Sequence, residues 1–181
     1  MSSSLSESPG LSRRGVLKIS LCAGAFLSTA GLAASLTGCS ANSLGSGFSV
    51  LRETDLPFLR ALIPAMVSGS LGAGSSQSAV AGTLKSIDAS LEHLSPEMFK
   101  LTQQLFDVLA LPLTRGPLTG VWLSWESASL EQVANFLDRW ENSRLSLLRM
   151  GHSSLLQLVM MSWYSRPEAW AHCGYPGPPT V

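Results

Sequence analysis

Three histidines (His93, His152, His172) and three cysteines (Cys22, Cys39, Cys173) are the side chains of this 181-residue chain best suited to nucleophilic or metal chemistry. A serine or cysteine nucleophile needs a base beside it, and no histidine stands near a G-x-S-x-G or similar setting. His172 and Cys173 are neighbours, so on an extended tail they point apart and supply only part of a metal site. C-x-x-C pairs and the haem-attachment pattern C-x-x-C-H are absent. The run Gly69–Gly74 follows a kinked helix rather than a strand, so it reads as a loop and not a phosphate cradle. Glu126, Glu131 and Asp138 belong to an amphipathic helix and read as its solvated face. The expectation is a chain with no catalytic residue, no metal and no cofactor of its own.

Two other sites carry more specific chemistry. Arg13 and Arg14 precede an uncharged run, Ile19–Leu36, that is rich in Ala, Gly, Ser and Thr. Paired arginines ahead of a mildly apolar stretch resemble a twin-arginine leader, with Ser12, Leu17 and Lys18 fitting the flanks. The stretch then ends in "LTGC", Leu36–Cys39, which resembles a lipobox. Small residues at Thr37 and Gly38 let a peptidase approach the backbone, and the Cys39 thiol would carry the lipid. Two or more acyl chains give lasting attachment, where one gives only marginal binding. A plain signal peptide cut nearby, with Cys39 lost, is the competing reading. Ser40–Gly47 reads as a flexible tether.

The charges divide accordingly. Formal net charge is zero, but Arg13, Arg14 and Lys18 face only Glu7 in the first 38 residues. From Cys39 onward nine of the twelve basic and eleven of the twelve acidic residues remain, a net of −2. No basic surface interleaved with aromatics is evident, so nucleic-acid binding has little support. With Cys22 removed and Cys39 acylated, Cys173 is left alone, which excludes an internal disulfide and predicts a thiol that is buried or held at a partner interface.

The remaining elements read as helices. Glu53–Val67 is a helix candidate with Pro57 in the first turn and Pro64 as an interior kink. Ser68–Ser78 reads as a Gly/Ser loop. Val80, Leu84, Ile87, Leu91 and Leu94 form one helical stripe. Ser95-Pro96-Glu97 starts a further helix whose predicted stripe is Met98, Leu101, Leu105 and Val108, broken at Pro112 and Gly116-Pro117. Ser129 caps a helix with Leu130, Val133, Leu137 and Trp140 on one face. Ser153–Tyr164 is apolar almost all round and must be central or covered. The fold class expected is all-α: one small bundle of about five or six helices with an extended Pro/Gly-rich C-terminal tail. The domain plan is a leader at 1–38, a tether at 39–50 and the helical body at 51–181.

The C-terminus, "SWYSRPEAWAHCGYPGPPTV", carries Trp163, Tyr164, Trp170, Tyr175 and Pro176. A Pro-rich tail with aromatics can lie in a groove at low ordering cost. Alternatively, Trp163, Tyr164 and Trp170 cap the chain's own core while the tail folds back.

Four features in order resemble the gluconate 2-dehydrogenase subunit 3 family. They are Ser12-Arg13-Arg14 with its apolar run; "LRALIPAM", Leu59–Met66; the block "RWENSRLSLLRMGHSSLLQLVMMSWYSRPEAW", Arg139–Trp170; and "GYPGPP", Gly174–Pro179. The resemblance implies a non-catalytic small subunit of a membrane-associated periplasmic dehydrogenase. Its partner would be a large flavoprotein of the glucose-methanol-choline type, holding FAD and passing electrons to a c-type cytochrome. The small chain would escort that folded partner through the twin-arginine translocase on Arg13 and Arg14, and anchor it through Cys39. Trp163, Tyr164, Trp170, Tyr175 and Pro176 are the expected contacts, since aromatics give large binding area for few lost rotors. A free-standing envelope lipoprotein is the alternative.

Overall fold

The computed structural model describes residues 43–70 and 76–177, all within one packed unit, Asn42–Val181. The expectations for Arg13, Arg14 and Cys39 lie outside the described residues. Seven helices occur among the described residues: α1 (Leu56–Val67), α2 (Ser76–Glu92), α3 (Pro96–Ala110), α4 (Pro112–Thr119), α5 (Leu130–Glu141), α6 (Ser146–Tyr164) and α7 (Pro167–Cys173). The architecture is an all-α bundle.

The first described residues are part of the body, not a tether. Leu44 and Arg52 pair in an antiparallel bridge, and Gly45 N–H donates to Leu51 O at 2.8 Å. Asp88, on α2, gathers the turn: Oδ2 accepts from Ser49 N at 2.8 Å, and Oδ1 from Val50 N at 2.9 Å and Leu51 N at 2.8 Å. Leu51 is fully buried. The tether predicted over 39–50 therefore does not extend through 43–50, because a carboxylate some 40 residues away in sequence supplies the partners that Ser- and Gly-rich backbone lacks locally.

Burial works against the charge on Asp88, but the amide donors of Ser49, Leu51 and Val50 outweigh it and hold the pKa below the usual carboxylate value. A depressed pKa contributes stability that is complete above the ordinary carboxylate range and is lost as pH falls through the folded value. Asp88→Ala is expected to cost about 2–4 kcal/mol at neutral pH, as three amide donors lose an ionised acceptor. Asp88→Asn keeps an oxygen for two of them and turns an NH2 group toward the third, so it should cost less. Urea unfolding at neutral pH and at about pH 3 checks both: the gap between parent and Asp88→Ala should narrow in acid. A gap that is independent of pH would contradict the charge-assisted account.

α1 is the hub, packing against α2, α3, α5, α6 and the 3-10 turn Trp125–Ser127. Pro57 occupies its first turn, and Pro64 is accommodated within it. Phe58, Leu59, Leu62 and Ile63 are fully buried. From Phe58 an aromatic chain crosses the core. Its centroid is 5.1 Å from Phe106 and 6.3 Å from Trp125; Trp125 stands 5.9 Å from Phe136, and Phe136 4.9 Å from Trp140. Three of these are edge-on contacts, each worth about 0.5–1.5 kcal/mol beyond area burial. The indole N–H groups are satisfied, Trp125 donating to Leu109 O at 2.8 Å and Trp140 to Leu118 O at 2.9 Å. Gly151 on α6 admits the Trp140 ring, since a Cβ there would stand 2.7 Å from Cζ3.

Several helix starts match the sequence. Ser95 Oγ accepts from Met98 N, with Pro96 in the first turn of α3. Ser129 and Gln132 form a reciprocal capping box at α5. Four expectations are corrected. First, α3 buries Phe106 and Leu109, while Met98 and Leu101 of the predicted stripe are exposed and Leu105 and Val108 are half-buried; the aromatic chain selects the other face. Second, α3 does end before Pro112 as expected, but Pro112 opens a new helix, α4, and Gly116-Pro117 lie inside it rather than breaking a helix. Third, Leu130 is exposed and Phe136 takes its place in the buried face of α5. Fourth, Arg166-Pro167 is followed by α7, so His172 and Cys173, expected on an extended tail, end a helix, and the chain leaves helix only from Gly174. The two added helices account for a count above the expected five or six.

Candidate functional site

α6 divides into two faces. Gly151, His152, Leu155, Val159, Ser162 and Trp163 are buried against α1, α2 and α5. On the opposite side, Leu147, Met150, Ser154, Gln157, Met161 and Tyr164 recur at intervals of three and four residues, which places them on one line along the helix. All six are exposed. Leu147, Met150 and Met161 are 74%, 64% and 66% accessible, and Tyr164 is 38%. The predicted covering of Ser153–Tyr164 thus holds for one face only within this chain. An outer line with a polar middle, Ser154 and Gln157, and apolar ends is unusual for a solvated helix, whose outer face is ordinarily charged.

The inner face of α6 has a neighbour on α3. Leu105 approaches Gly151 of α6, its Cδ1 lying 3.4 Å from where a Cβ would stand. Met98 and Leu101, on the same side of α3 as Leu105 by helical spacing, are 53% and 59% accessible.

The predicted contact residues separate. Trp163 is 2% exposed, so it is a core residue and not a contact; its position on α6 faces inward, one residue away from outward Tyr164. Its ring carries the Arg166 guanidinium at 5.6 Å. The indole Nε1 of Trp163 and the Oγ of Ser162 are buried without a hydrogen-bond partner among the described residues. Trp170 is half-buried and acts as the support for the end of the chain. It donates from Nε1 to Tyr164 O at 2.8 Å, meets the Tyr175 ring edge-on at 5.4 Å, and its backbone oxygen accepts from Tyr175 N at 3.1 Å. Gly177, with φ of 102°, brings the backbone against the same indole. Tyr164, Tyr175 and Pro176 are exposed beside it. Hence the described part of the tail folds back on Trp170.

Arg166 ties this end to α2. Its Nη1 donates to Ala79 O at 2.7 Å and Thr83 Oγ1 at 3.3 Å, and Nη2 pairs with Glu168 at 3.1 Å. Gly82 makes the contact possible, because a Cβ at that position would stand 2.3 Å from the guanidinium carbon. Of the two states expected for Cys173, burial within the chain does not hold: it is exposed, and its thiol lies against Trp170 O at 3.3 Å.

The other candidates for chemistry are scattered. His93 is exposed with Nδ1 against Ala89 O at 2.7 Å, and His152 is buried on the inner face of α6. Glu126, Glu131 and Asp138 are exposed. No group of three or more His, Cys, Asp or Glu side chains that could hold a metal ion occurs among the described residues. No described helix is long and apolar enough to cross a membrane. A groove of about 380 Å³ lies between α1 and the start of α5, lined by Pro57, Arg60, Pro64, Trp125, Leu130 and others. It is mainly apolar, with Arg60 and Glu126 as its charged groups.

The exposed face of α6 escaped the sequence reading, although its signal was present. Averaged around the helix, Ser153–Tyr164 looks uniformly apolar; only the neighbours Gly151 and Trp163, which fix the inward direction, reveal which of its large side chains face out. Comparison with protein-family models, with curated proteins and with solved structures gives no match for this chain.

Proposed function

We propose that this chain is the non-catalytic small subunit of a periplasmic, membrane-associated dehydrogenase. It escorts a FAD-containing large subunit of the glucose-methanol-choline type through the twin-arginine pathway and anchors it through Cys39. The observation that carries the reading is the uncharged outer line of α6, apolar at both ends, which falls inside the Arg139–Trp170 block on which the family resemblance chiefly rests. A helix that fixes one face in its own core while presenting Leu147, Met150 and Met161 outward is built as a rigid seat for another surface. Tyr164, Tyr175 and Pro176 extend that seat, and Trp170 props them. Trp163 contributes indirectly by holding α6 in place.

The escort role explains the leader. A flavoprotein that must take up FAD before export crosses folded, so it depends on a partner that carries the arginine pair. Replacing Arg13 and Arg14 by Lys-Lys should leave both chains in the cytoplasm, read by fractionation and by dehydrogenase activity on the periplasmic side. Normal export of the large subunit in that strain would end the escort proposal. Replacing Cys39 by Ala should release the exported complex from the membrane; retention at high salt would remove the lipid anchor from the account but leave the escort role standing.

A further inference from the structure

The four most exposed large apolar side chains of the described residues include three from one edge of the molecule: Leu113 at 75%, Trp122 at 74% and Leu123 at 73%. They are brought together by the end of α4. Gly120, with φ of 77°, stops that helix and turns the chain, and Val121 goes into the core. The Trp122 ring then lies back over Gly116, where a Cβ would stand only 2.6 Å from its Cε3. Leu113 is one helical turn before Gly116, on the same face of α4.

Two guanidinium groups bracket the turn from which this edge projects. Arg115 Nε donates to Val121 O at 3.3 Å, and Arg139 Nη2 donates to Leu118 O at 2.9 Å. Neither forms an ion pair among the described residues. Of the surrounding carboxylates, Asp138 accepts from Asn142 Nδ2, Asp107 pairs with Arg52, and Glu126 lines the groove against α1. Both arginines keep their charge and have hydrogen-bond donors to spare.

We propose that this edge is a membrane-contact site, with Trp122, Leu113 and Leu123 entering the interfacial region of a bilayer while Arg115 and Arg139 bind anionic lipid phosphates. Three side chains that are three-quarters exposed stand out from the body as a knob, and a bilayer accepts a knob without needing a matching cavity. Tryptophan settles at headgroup depth, leucine just beneath, and arginine takes phosphate oxygens in a forked contact. Unpaired cations at the rim set the sign of the surface as anionic. The inference goes beyond the escort role and does not depend on it, since the site lies on α4 and the following turn and not on α6.

The test uses the full chain carrying Cys39→Ser, so that no acyl chain is present. It is mixed with vesicles of phosphatidylcholine alone, or of phosphatidylcholine with phosphatidylglycerol, each made with and without bromine-labelled acyl chains. The expected result is a tryptophan quenching component in the anionic vesicles that Trp122→Phe removes and Leu113→Ser/Leu123→Ser greatly reduces. Arg115→Gln should weaken anionic-vesicle binding about fivefold, as one surface cation is lost. Circular dichroism confirms that each variant is folded. The proposal is overturned if Trp122→Phe leaves the quenching unchanged, or if phosphatidylglycerol makes no difference. It is equally overturned if Trp122 stays as accessible to acrylamide with vesicles as without them, including the case in which only a co-purifying protein shields it.

Discussion

Replacing Arg52 by methionine is expected to destabilise the chain by about 3–5 kcal/mol, because it leaves a buried carboxylate without its counter-charge. The carboxylate is Asp55, 2% exposed at the entrance to α1. The guanidinium grips it with both prongs, Nε to Oδ2 at 3.0 Å and Nη2 to Oδ1 at 2.9 Å, and the Arg52 amide donates to Oδ2 at 2.9 Å. Nη1 reaches across to Asp107 on α3 at 2.7 Å. Burial disfavours the Arg52 charge, but the hydrogen bonds and charges of Asp55, then of Asp107, outweigh it and the guanidinium pKa is raised. The two carboxylates differ in consequence. Asp107 is half exposed and is rehydrated when the arginine goes, so most of the loss is felt at Asp55. The double variant Arg52→Met/Asp55→Leu should recover most of the stability, since removing both charges leaves nothing stranded. Chemical denaturation of the three proteins decides the matter. A single variant within about 1 kcal/mol of the parent would show that water already reaches Asp55.

That cluster also marks where sequence reasoning stops. Local signals sufficed for the ends of helices: Ser95-Pro96-Glu97 and Ser129 with Gln132 need only near neighbours to act as starts. The all-α class follows from apolar spacing alone. What failed depends on partners distant in the chain. Ser43–Val50 has the composition of a tether, and nothing nearby reveals that Asp88 will collect its amides. Helix α3 offers two apolar stripes, and the choice of Phe106 over Leu101 is made by Phe58 on another helix. Trp163 and Tyr164 are indistinguishable as aromatics, yet a 100° turn of the helix sends one inward and the other outward. The prolines of Gly174–Pro179 do keep the described residues 174–177 out of a helix, but they say nothing of the residues before them, where Pro167 falls in the first turn of α7 and a missing N–H costs nothing.

The same division of α6 gives the second large expectation. Replacing Met150 and Met161 together by glutamate should leave the body folded and weaken association with the proposed flavoprotein subunit by about thirtyfold or more. Both side chains are about two-thirds exposed, so charge there burdens the folded chain little, within about 0.5 kcal/mol. In a complex, however, two carboxylates on the apolar line would be desolvated without a partner, which is the costliest error an interface can contain. Co-expression with the flavoprotein, followed by affinity capture and a thermal melt of the small chain, separates the two effects. Trp163→Ala supplies the contrast: it removes a buried indole that supports Arg166, so it should lower the melt itself as well as the capture. If Met150→Glu/Met161→Glu captures the flavoprotein as well as the parent does, the outer line of α6 is not the seat. A partner held instead by Tyr164, Tyr175 and Pro176 would be lost with Tyr175→Ala while the glutamate variant still binds. The two substitutions therefore separate two candidate seats for the proposed large subunit, because one tests the line along α6 and the other the aromatic turn propped by Trp170.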